Sequence, residues 1–155
     1  MASFKGNKLY IHGSDLKTGV LLTNLGTPDE PTTPSLKTYL RQFLSDGRVI
    51  ETPKAIWWLI LNGIILNTRP AKSAKNYKSV WTDEGSPLLL YTKKQKELIK
   101  INLEKKYSNL IFDIGMRYGN PSIAKALNNL RNQNCDQIVV LPLHPQYCPA
   151  HTGTT

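Results

Sequence analysis

The chain has 155 residues, one domain's worth, and 40% of them are hydrophobic, enough for a packed core. The formal charge of +9 suits nucleic acid, a membrane surface or an acidic small molecule, but no zinc-finger spacing, aromatic RNA-binding strand or dense arginine run occurs, so nucleic acid is not an expected partner. Two cysteines, Cys135 and Cys148, make no disulfide framework, and a reducing compartment is the default.

Residues 1–17 are polar and lack the apolar segment of a signal peptide, so they read as a loose tail before a domain of residues 18–155. Residues 18–24 (TGVLLTN) read as a buried strand, broken by Gly26, Thr27 and Pro28. A helix follows, with Thr33 as its cap and Pro34 as its first residue. Leu36, Tyr39, Leu40, Phe43 and Leu44 share one helical face, and Ser45-Asp46-Gly47 ends it.

Residues 53–66 read as an apolar helix, its apolar stretch too short to span a bilayer. Trp57 and Trp58 are adjacent and cannot share one face, so at least one is expected to meet a pocket, a partner or a membrane interface. Residues 70–81 read as a further short helix. Ser86 and Pro87 open a long helix to about Tyr107, whose lysines read as a solvated face. Residues 110–118 read as a strand, and Asn120-Pro121 repeats the cap signal. Ile123, Ala124, Ala126, Leu127 and Leu130 form the stripe of the next helix, and residues 136–143 read as a last, buried strand.

This order predicts an α/β fold, an open parallel sheet with crossover helices. Right-handed crossovers place all strand carboxyl ends on one edge. Residues 24–28, 117–120 and 144–147 then converge where open α/β sheets bind ligands.

Neither a dinucleotide fingerprint nor a Walker-type loop is present, and Gly26 alone is a weak phosphate signal. His144, Cys148 and His151 are metal-ligating types at H-x3-C-x2-H spacing, but a closed site needs a fourth ligand, which leaves them weak candidates. Alternation puts Arg117 on one face with Asp113. It reads either as an intramolecular ion pair or as a cation for a carboxylate-bearing ligand, and Arg69 carries the same two readings. Ser86 is a helix cap whose helix N-terminus also suits anions.

The segments NLGTP (24–28), FLSD (43–46), GSPL (85–88), MRYGNP (116–121) and LPLHPQY (141–147) occur in the order and spacing of ferrochelatases, and the chain resembles that family from about Gly19 to Thr155. The resemblance implies one of two similar α/β domains with a porphyrin cleft between them. It implies insertion of ferrous iron into protoporphyrin IX or coproporphyrin III in haem synthesis, with no organic cofactor. It also implies an apolar lip at the cleft mouth, in a cytoplasmic protein that docks on the inner face of a membrane.

Carried over by residue, Leu25 and Thr27 lie in the loop reaching the porphyrin. Arg69, Tyr77 and Ser86 fall near positions that contact the porphyrin or its propionates. Arg117, Tyr118 and Tyr147 match pocket residues. Trp57, Trp58, Ile60, Leu61 and Ile64 correspond to the lip. Porphyrin is a flat apolar disc bearing acids, and such a site needs apolar and aromatic walls with a few cations. Metal insertion removes two pyrrole protons and distorts the ring, which a rigid cleft and a base can supply.

The chain departs from the family at His144, where a tyrosine is usual, and at Cys148 to His151, where small or hydroxyl residues are usual. Pro149 stands where some members place a cluster-binding cysteine, so no iron–sulfur cluster is expected. The His and Glu that handle iron and protons belong to motifs of a second half with no counterpart here. The resemblance therefore implies an N-terminal domain without its C-terminal partner, inactive alone, with no catalytic residue of its own.

Overall fold

The computed structural model describes residues 16–144; the predicted features at Tyr147, Cys148 and His151, and most of the N-terminal tail, lie outside the described residues. The elements run β1 (Thr18–Thr27), α1 (Thr33–Leu44), α2 (Lys54–Ile60), a π-helical turn (Leu61–Ile65), α3 (Leu66–Val80), α4 (Pro87–Glu104), β2 (Leu110–Gly119), α5 (Ile123–Asn132) and β3 (Gln137–Pro142). The three strands form a parallel sheet in the order β2-β1-β3. The expected open α/β architecture is what the chain adopts.

β1 is central and its side chains alternate between two cores. Val20 and Leu22 pack with Ile114 against Leu89 and Ile99 of α4. Leu21 points the other way, onto Ala126 and Leu130 of α5. Because both faces are covered, the strand reads as a continuous apolar run, as parallel central strands do. A third cluster joins Leu44 of α1 to Leu61 and Leu66, with Trp57 against it.

Several boundaries differ from the sequence reading. β1 does not break at Gly26 but runs through Thr27, because Gly26 takes a positive φ of 111° and keeps its pairing with Tyr118. The cap of α1 is Thr32, with no side-chain cap bond. Ser86 is the N-cap of α4 by position, yet its side chain makes no cap bond. The cap of α5 is Ser122, whose Oγ accepts from the Lys125 N–H at 3.2 Å, while Asn120-Pro121 is a cis peptide before it. α5 stops where Asn134 adopts φ 59°, a left-handed exit that asparagine tolerates.

The two helices expected at 53–66 and 70–81 are one continuous helical run through a π turn, with Pro70 inside α3. Side chains satisfy carbonyls that the altered spacing releases. Asn67 Nδ2 donates to the carbonyls of Asn62 and Gly63, each at 3.0 Å, and Thr68 Oγ1 donates to Ile64 at 2.9 Å.

β3 is not buried. Ile138, Val139, Val140 and Leu141 are 39–53% exposed. Among the described residues only its β1 side is paired, so the apolar run is a sheet edge there; composition alone does not separate the two situations.

Candidate functional site: the carboxyl ends of β1 and β2

β1 and β2 stay paired to their last residues, Gly26 opposite Tyr118 and Thr27 opposite Gly119. A Cβ on Gly26 would run into the Tyr118 carbonyl oxygen, and one on Gly119 into the Thr27 carbonyl oxygen. Both glycines also have positive φ, 111° and 80°. The two strand ends thus approach more closely than residues with side chains permit.

Hydrogen bonds fix this edge from three sides. Buried Thr27 donates from Oγ1 to Ser86 Oγ at 2.8 Å, tying β1 to the start of α4. Asn24 Nδ2 donates to Thr92 Oγ1 at 3.1 Å, nearly two turns further along α4. Asn24 Oδ1 accepts from the Leu25 N–H at 2.8 Å, near the end of β1, where the Leu25 side chain is half-buried. From α1, the Tyr39 hydroxyl donates to the Gly26 carbonyl at 3.1 Å. Burial, then the neighbouring Tyr77 and Tyr118 hydroxyls, push Tyr39 well above the usual tyrosine range. Tyr77 is also raised, chiefly by burial.

The third side is the loop after α1. Asp46 Oδ2 accepts from Arg117 Nη2 at 2.6 Å and from the Tyr118 hydroxyl at 3.0 Å, while its Oδ1 accepts from the Arg48 N–H at 2.9 Å. The Arg48 N–H lowers its pKa most, burial opposes, and Tyr118 and the Arg117 charge add to the lowering. The Arg117 guanidinium lies 4.9 Å from the Tyr118 ring centroid, and Phe43 meets that ring edge-on at 5.2 Å. Gln42 Oε1 accepts from the Gly119 N–H at 2.9 Å.

Arg117 is therefore ion-paired, with Asp46 rather than with Asp113. Asp113 lies four residues back along the strand and accepts from Asn129 of α5 at 3.2 Å. Four strand residues span about 13 Å, so the two charges are well separated, whereas the loop after α1 curls over the strand end.

Two cavities flank Asp46. One, of about 340 Å³, is lined by Gln42, Ser45, Asp46, Arg117, Tyr118, Gly119 and Ser122. The other, of about 180 Å³, is lined by Ser45, Asp46, Ile50, Lys54, Trp57, Trp58 and Leu61 among others. The tryptophans divide as their adjacency demands. Trp57 is half-buried and donates from Nε1 to the Leu44 carbonyl at 2.6 Å, while Trp58 is 63% exposed. Ile56, Leu59 and Ile64 are also exposed. Leu61 is not on that outer surface; it is buried with Leu44 and Leu66.

The structure thus gathers Leu25, Thr27, Ser86, Arg117 and Tyr118 at one sheet edge and brings Tyr77 to them through Tyr39. Arg69 stands exposed on α3, and no hydrogen bond or ion pair ties it to the others. His144 lies just past β3, where the Leu143 N–H donates to the Thr23 carbonyl at 2.8 Å. Among the described residues, no group of three or more His, Cys, Asp or Glu is placed to hold a metal, and no helix is long and apolar enough to cross a membrane. Asp46, Tyr39 and Gln42 belong to the site; the sequence reads Tyr39 only as helix face, Asp46 as helix end and part of the FLSD segment, and gives Gln42 no reading. The acidic residue directly after the α1 stripe was the available signal for Asp46. Chemically, the edge offers the half-buried Leu25 side chain and the partly exposed Arg117 guanidinium over buried Tyr118, Thr27 and Ser86, with adjoining apolar walls, a binding surface suited to a flat ligand.

The ferrochelatase family profile matches residues 17–155. Among curated relatives, the ferrochelatase of Chromobacterium violaceum is 58% identical over 139 residues, covering 89% of this chain and 38% of that protein. That of Nitrosomonas europaea is 54% identical over 145 residues, 93% of this chain and 40% of that protein. That of Pseudoalteromonas atlantica is 48% identical over 153 residues, 98% of this chain and 42% of that protein. The chain thus spans about two fifths of the length of these relatives. With the segments at 24–28, 43–46, 85–88 and 116–121 folded onto one sheet edge and the family match running through the described domain, the chain belongs to the ferrochelatase family.

Proposed function

We propose that this chain supplies one wall of a porphyrin site in an enzyme that inserts ferrous iron into protoporphyrin IX or coproporphyrin III. The observation that carries the reading is the convergence of Leu25, Thr27, Ser86, Arg117 and Tyr118 beside a cavity walled by Trp57 and Trp58. A macrocycle laid on this edge would meet Leu25 near the end of β1 and the Arg117–Tyr118 pair, with Tyr77, Ser86 and Arg69 for its polar rim; Tyr147, the remaining candidate, lies outside the described residues. Iron is a substrate in this reading, and neither an organic cofactor nor an iron–sulfur cluster is invoked.

The second wall, with the groups that take the pyrrole protons and deliver iron, would come from a further domain. The greater length of the relatives supports that division. The exposed side chains of Ile56, Trp58, Leu59 and Ile64, with half-buried Ile60, form the lip of the proposed cleft and its contact with a membrane surface on the cytoplasmic side. A hybrid in which this chain replaces the matching residues of the Chromobacterium violaceum protein tests the reading. It is expected to insert ferrous iron into porphyrin, whereas the 155-residue chain alone is expected not to. A folded but inactive hybrid would overturn the assignment, and insertion by the chain alone would overturn the division of labour.

A further inference from the structure

Arg117 is the conspicuous cation of the site, but its charge is already answered. One guanidinium nitrogen is 2.6 Å from Asp46, a face lies over the Tyr118 ring, and Nε is buried with no hydrogen-bond partner. The Asp46 side chain is only 13% exposed and that of Arg117 31%. The same carboxylate oxygen accepts from Tyr118, so one atom fixes the two neighbouring pocket side chains relative to each other. The Arg48 N–H holds the other oxygen, and Asp46 borders both cavities.

We propose that Asp46 is a positioning residue of the site: it holds Arg117 over the buried Tyr118 ring as a charge-compensated pair, so that this edge meets its ligand by shape and apolar contact instead of by capturing an acid group. An arginine held on one side by carboxylate and on one face by an aromatic ring retains its planar surface while its net attraction for a further anion falls. The ligand's acids are then left to cations elsewhere, such as the exposed Arg69. This inference rests on the porphyrin reading for its ligand, but the state of Arg117 is measurable without one.

The first test is guanidinium NMR on the ¹⁵N-arginine-labelled chain. Rotation about the Cζ–Nη bonds of Arg117 is expected to be slow in the unaltered chain and fast in Asp46→Asn. Free rotation in the unaltered chain would overturn the assignment.

The second compares titrations with protoporphyrin IX and its dimethyl ester. Asp46→Asn is expected to raise the preference for the diacid about fivefold, as release of one partly exposed ion pair implies. Adding Arg117→Gln is expected to cancel that gain. Asp46→Glu keeps the charge and is expected to keep the original preference, which leaves the claim testable if Asp46→Asn does not fold. An unchanged preference in a folded Asp46→Asn, or a Glu variant that shifts as Asn does, would overturn the charge-compensation claim. If the unaltered chain binds neither porphyrin, the porphyrin reading fails, and Arg117 rotation alone decides the role of Asp46.

Discussion

Replacing Gly26 by alanine tests the geometry on which the whole site depends. At φ 111° an L-residue is strained, by about 1–2 kcal/mol on the usual scale for left-handed backbone. The added Cβ also points at the Tyr118 carbonyl oxygen, so β1 and β2 must part at their last pair. Losing a ladder hydrogen bond there adds about 1 kcal/mol. The sum is about 2–3 kcal/mol, which for a domain of this size lowers the melting midpoint by about 4–12 °C. Gly63→Ala is the internal control. A Cβ at Gly63 meets nothing within 4 Å, and the residue lies in a helical run, where alanine is favoured by about 0.5–1 kcal/mol. Urea denaturation of both variants measures the difference. If Gly26→Ala were as well tolerated as Gly63→Ala, the close approach of the strand ends would not be a real constraint.

Thr27→Val removes the buried donor to Ser86 and is expected to cost about 1–2 kcal/mol in urea denaturation, whereas a serine at the same position should recover much of it. Trp57→Phe is expected to lose about 1 kcal/mol, because the Leu44 carbonyl loses its donor. By contrast, Trp58→Ser is expected to leave the urea midpoint nearly unchanged and to raise solubility, read by light scattering. The Asp46 carboxyl is held below the usual carboxylate range, so the folded state binds its proton less readily than the unfolded chain does. Its contribution is therefore complete above the unfolded value, near pH 4, and is lost as pH falls through the lower folded value. Asp46→Asn should accordingly narrow the stability gap between pH 7 and pH 3, measured by urea midpoints; an unchanged gap would contradict the assignment.

The helices α1, α4 and α5 were legible because each has an apolar stripe at helical spacing and a polar or proline start. β1 was legible as an apolar run, but its true end was not. Gly26 looks like a breaker in sequence and acts as a pairing residue, since only its partner's backbone decides which. β3 shows the complementary failure, because Ile138 to Leu141 would suit a buried strand equally well and only topology makes it an edge. The join of 53–66 to 70–81 was hidden by Pro70, which reads as a helix start in sequence but lies inside α3, after a π turn. At the site, the structure places Leu25, Ser86 and Arg117, which the family segments contain, along one sheet edge. The partner of Arg117 was not legible, because Asp46 lies 71 residues away and periodicity offers only the nearby Asp113.

The central claim is that the joined ends of β1 and β2 form part of a porphyrin site. The most direct measurement is a Soret-band titration of protoporphyrin IX with the purified chain, alongside Leu25→Asp, which puts a charge near the end of β1 at a residue outside the core clusters. The expected result is saturable one-to-one binding that the aspartate variant weakens at least tenfold, about 1.4 kcal/mol. Absent binding, or binding indifferent to the charge at residue 25, would contradict the account.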